Sequence, residues 1–134
     1  MRIDTAFLAV AGACLIAGAC LGIYMGVNED FQLTAVHAHV NLAGWASLAL
    51  FGLAYRLHPR LAGRRMGLLH FWLAAPGALL LPPGIYLAQI HETELLAIVG
   101  SLLWLASALL FFLMILRLAV RDLRPPPAQA VEDA

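Results

Sequence analysis

His37 and His39 are the residues whose types and spacing most suggest chemistry. They sit in the stretch His37-Ala38-His39-Val40-Asn41-Leu42-Ala43-Gly44-Trp45, inside a long apolar run. Ionisable groups are costly in a membrane and usually face a bundle interior or a bound group. Two residues along a helix is about 200° around its axis, so the two rings point to opposite faces. A single small tetrahedral ion does not take both from a regular helix. The spacing suits two sites flanking one helix, or one cofactor with a separate partner for the other ring. On the His37 side lie Asn41, Gly44, Leu48, Gly52 and Tyr55, where the glycines leave room for something flat and large. On the His39 side lie Ala43, Ala46, Leu50 and Leu53. Three readings follow: a haem with axial imidazole, a transition-metal site that adds His91, or histidines that only bond neighbouring helices.

The elements that position these residues are apolar helices. The 134-residue chain is 63% hydrophobic and 12% charged, too apolar for a soluble domain of this size. Four segments, at about 5–27, 33–57, 67–90 and 95–120, are each long enough to cross a hydrocarbon core of about 30 Å. The expected fold is an all-α membrane protein, a bundle of four transmembrane helices over residues 1–123, with a disordered tail at 124–134. The first helix is rich in Ala and Gly and is expected to be a tight packing partner. The third contains Pro76, Pro82 and Pro83 and is expected to kink or unwind locally. Cys14 and Cys20 are six residues apart, about 600° around the axis, and so cannot pair within one helix; both read as small packing residues.

All eight basic residues are arginines: Arg2, then Arg56, Arg60, Arg64 and Arg65 in the second loop, then Arg117, Arg121 and Arg124. The other two loops are acidic. Both termini are therefore expected on the cytoplasmic side of a multi-pass protein of the inner membrane. The zero net charge gives no reason to expect nucleic acid or a polybasic lipid site. This orientation sorts the histidines into an outer layer of His37, His39 and His91 and an inner layer of His58 and His70. His70 and His91 would lie about 30 Å apart on one straight helix, too far to share a site. His70 reads as a helix-end or interfacial hydrogen-bonding residue, and His58 as a loop residue. Trp45, Trp72 and Trp104 read as packing or interfacial side chains.

The central stretch, continued by Phe51-Gly52, Tyr55, Leu57, Pro59 and Leu61, resembles the tenth helix of the catalytic subunit of haem–copper oxidases. The C family (cbb-type) is closest, with nitric oxide reductases next. The shared pattern is His-x-His, Gly-Trp, Phe-Gly, Tyr, Pro. Leu69-His70-Phe71-Trp72-Leu73 with Gly77 looks like the start of the following helix. The resemblance covers residues 33–90 and implies that His37 matches the high-spin haem ligand and His39 the low-spin ligand. The chain departs from the family where the copper histidines and the second low-spin ligand should be. It is much shorter and lacks those helices, so one chain does not build a haem–copper centre.

The expected function is a small membrane protein with b-type haem, carrying electrons or binding a diatomic gas (O2 or NO). His37, His39 and His91 are the candidate iron ligands, and Asn41, Gly44 and Trp45 line the same site. Haem b ranks above copper. Turnover is left open. Expected partners are membrane lipid, further copies of the chain in a dimer or larger oligomer, and respiratory-chain subunits or quinol. The competing expectation is a non-catalytic accessory or assembly protein for respiratory oxidases, or one that handles haem or metal.

Overall fold

The structure, a computed structural model, describes residues 2–61 and 63–123. The expectation of a disordered tail at 124–134 lies outside the described residues. Among those residues all regular secondary structure is helical: α1 (Ile3–Asn28), α2 (Thr34–His39), a π-helix (Val40–Ser47), α3 (Leu48–Leu57), α4 (Arg64–His91) and α5 (Leu95–Asp122). Three helices, at Ile3–Asn28, Arg65–His91 and Leu95–Asp122, are long and apolar enough to cross a membrane. They turn much of that apolar surface outward. In the most apolar stretch of α5 only 17% of residues are buried, and Leu102, Leu105, Leu109, Phe112 and Leu113 are exposed. Such a surface is stable against lipid and not against water.

The second apolar segment forms at the expected place but is not a regular helix. The chain shifts from α to π hydrogen bonding immediately after His39 and returns to α at Leu48. Two side chains accommodate the shift. Asn41 Nδ2 donates to the His37 carbonyl at 2.9 Å, and Ser47 Oγ donates to the Leu42 carbonyl, five residues back, at 2.7 Å. A change of register leaves carbonyls without their usual amide partner, and these polar side chains supply one. π-Helical segments inside α-helices are rare and occur frequently at functional sites.

The closest helix contact is between α4 and α5. A Cβ on Gly77 would stand 2.7 Å from the Trp104 amide nitrogen, and one on Gly100 would stand 2.8 Å from that of Leu81. At Gly84 it would collide with the backbone of Ala97. These glycines bring backbone against backbone, the usual route to tight packing in lipid. In α1 the glycines behave differently from one another: Gly18 and Gly22 receive side chains from the second segment, while Gly12 and Gly26 face open space. α4 runs through Pro76, Pro82 and Pro83 as one continuous helix, so the expected local unwinding does not occur.

One end of the molecule collects the arginines. Asp4 is buried there and accepts from Arg2 at 3.0 Å and from Arg56 at 3.2 Å, tying the start of α1 to the end of α3. Gly67, at the start of α4, packs beside Ile3 and Tyr55.

Candidate functional site

The stripe expected to run with His37 does face inward, and α1 fills it. The His37 ring lies against Gly22, whose Cβ position is 2.9 Å from the ring Cε1. One turn on, the Asn41 amide occupies the notch at Gly18, at 2.6 Å. Cys14 Sγ fills the recess at Gly44, at 2.8 Å, and the Leu8 side chain and Asp4 carbonyl close that at Gly52. Leu48 and Tyr55 complete the buried row. The space that glycines leave beside His37 is therefore taken by a neighbouring helix. A porphyrin-sized plate does not fit along this face while α1 is in place.

His39 is arranged differently. Its Nδ1 is 2.8 Å from the Ala35 carbonyl. A carbonyl only accepts, so Nδ1 carries the proton and the neutral ring keeps its lone pair on Nε2. This matches the usual state of a metal-ligating histidine, in which a backbone carbonyl holds the second ring N–H, fixing tautomer and orientation. His39 is half-buried, and lower on the same side of the helix Leu50 and Leu53 are exposed. His39 thus keeps one ring nitrogen free on a half-buried face, whereas the recesses beside His37 are filled by α1.

The remaining expected site residues are dispersed. His91 is exposed at the end of α4, its ring edge-on to Tyr86 at 6.4 Å. Gly44 is buried against Cys14, and Trp45 is 40% exposed. Cys14 and Cys20 are both free, one buried and one exposed. Among the described residues no three metal-binding side chains converge.

Among the described residues two polar side chains are fully enclosed, His70 on α4 and Ser107 on α5. His70 is completely buried, not interfacial. Its Nδ1 is 2.8 Å from the Tyr55 hydroxyl, which also lies 3.8 Å from Met114 Sδ. Rings surround it: Phe51 edge-on at 4.7 Å, Phe7 at 5.1 Å, and Phe111 stacked at 5.5 Å. Among the described residues the second ring nitrogen, Nε2, has no partner, and neither has the buried hydroxyl of Ser107 on α5. Apolar neighbours in sequence, Leu69, Phe71 and Trp72, gave no contrast from which to read the inward face. The available signal was the pairing of two polar residues, Tyr55 and His70, within otherwise apolar helices.

Comparison with family models, with curated proteins and with solved structures returns no match for this chain.

Proposed function

We propose that this is a multi-pass membrane protein in which His39 supplies an axial ligand to a b-type haem. The supporting observation is the 2.8 Å bond from His39 Nδ1 to the Ala35 carbonyl, which leaves the Nε2 lone pair free to bind a metal. The π-helix that begins at the next residue sets the ring apart from the regular helix below it. His37 serves as a packing group at the α1 contact, with Asn41 beside it. A haem held by His39 would supply a one-electron couple or a site for O2 or NO. The second ligand comes from another copy of the chain or from a partner subunit. In this reading the second segment also crosses the inner membrane, and the arginine-rich end, with both termini, faces the cytoplasm.

The test is the absorption spectrum of the purified protein, oxidised and reduced, with and without carbon monoxide. The expected result is a Soret band and a sharp reduced α band. His39→Ala abolishes both, while His37→Ala keeps the haem-to-protein ratio within about twofold. A colourless protein that takes up no added haem overturns the proposal. Loss of haem from His37→Ala alone moves the ligand to His37, which the oxidase resemblance matches to the high-spin haem ligand.

A further inference from the structure

We propose that the arginine-rich end holds one anionic phospholipid, its phosphate bound by Arg60, Arg117 and Arg121. These three side chains border a cavity of about 150 Å³ between the loop after α3, the first turn of α4 and the last turns of α5. Arg117 and Arg121 are one turn apart and therefore share a face of α5. The ion pairs among the described residues, Arg2–Asp4 and Arg56–Asp4, involve none of the three. Among the described residues no carboxylate lines the cavity, so its walls offer nothing to meet the ammonium of a zwitterionic headgroup. Guanidinium forks match phosphate oxygens in geometry as well as charge.

The source of the phosphate is argued from what adjoins the cavity. Its remaining walls are apolar, with Leu61, Met66, Met114 and Leu118 among them. A second, more open groove of about 380 Å³ runs along α5 past Leu113, Leu116 and Val120, and it shares Arg117 and Arg121 with the first. The same two guanidinium groups thus separate a charged cleft from an apolar channel. A free phosphate would use only the cleft; a phospholipid uses both, its headgroup in one and an acyl chain in the other. Basic pockets between transmembrane helices on the cytoplasmic side suit such headgroups. The zero net charge conceals this site because Glu29, Asp30, Glu92 and Glu94 lie in the turns at the other end of the helices.

The test is a titration of the full chain in neutral detergent with phosphatidylglycerol or phosphatidylcholine, followed by native mass spectrometry. One phosphatidylglycerol per chain is expected, held about tenfold more tightly than phosphatidylcholine. The double variant Arg117→Gln/Arg121→Gln weakens it by about tenfold or more. Arg65→Gln, which alters an exposed arginine at the same end but outside the cavity, changes affinity less than twofold. Should the double variant fail to fold, Arg60→Gln and the loss of preference at high salt carry the same test. Equal affinity for the two lipids, or undiminished binding by the variants, overturns the proposal. So does glycerol phosphate binding as tightly as phosphatidylglycerol and displacing it, which would make the ligand a soluble phosphate.

Discussion

The Tyr55 hydroxyl and His70 Nδ1 stand 2.8 Å apart in the aromatic interior, joining α3 to α4. Whichever of the two atoms carries the shared proton, His70 Nε2 is left without a partner among the described residues. Tyr55→Phe removes the one side-chain bond that the imidazole makes among the described residues and leaves neither nitrogen a partner there. Interhelical hydrogen bonds in membrane proteins contribute well under 2 kcal/mol on average, but an orphaned buried group adds its own penalty. The expected loss is about 1–2 kcal/mol for Tyr55→Phe in a reversible unfolding assay in detergent. The double variant Tyr55→Phe/His70→Phe should recover part of it, because neither partner then remains unsatisfied. Strictly additive losses would show that the pair is not coupled.

A second prediction concerns the glycines. Gly84→Ala places a methyl group against the Ala97 backbone, which gives way only if α4 and α5 separate. The expected cost is about 1–3 kcal/mol, as for overpacking of a close interface. Gly12→Ala, at a helix position with open space, should instead be neutral or stabilising by up to about 1 kcal/mol, the intrinsic helix preference for alanine. Thermal unfolding of both variants checks the difference in sign.

A third prediction addresses orientation in the membrane. In a Cys14→Ser/Cys20→Ser background, a cysteine at Arg65 should react with a membrane-impermeant maleimide only after the cells are opened. One at Glu92 should react in intact cells. Both positions are exposed, at opposite ends of α4. The reverse pattern would place the arginine-rich end outside and overturn the assignment of both termini to the cytoplasm.

The inward row from His37 to Tyr55 was legible from helical spacing alone, although the chain leaves the α register between Val40 and Ser47. What filled the recesses was not. A glycine recess accepts a helix as readily as a cofactor, and only the position of α1 decides which. The tight α4–α5 seam was equally hidden, since the sequence directs attention to the many small residues of α1, and the seam uses three glycines in helices otherwise rich in leucine. The full burial of His70 was not legible because a membrane helix is apolar on every side, so its buried face carries no amphipathic mark. The π-helix had no prior signal beyond Asn41 and Ser47, which are ordinary polar residues until the register around them is known.

The last prediction concerns Asn41, which makes two separate contributions. Its amide donates to the His37 carbonyl where the helix changes register, and its bulk fills the notch at Gly18. Asn41→Leu keeps much of the volume and loses the donor; Asn41→Ala loses both. If the hydrogen bond maintains the register change, Asn41→Leu should cost about 1 kcal/mol, the usual net value of such a bond, and Asn41→Ala should cost more because α1 then faces a cavity. The Ala35–His39 bond lies before the shift and does not involve Asn41. Under the proposed haem assignment, both variants should therefore retain haem at a temperature where they remain folded. Haem loss from folded Asn41→Leu would place the ligand on the His37 side, where the amide sits, instead of on His39.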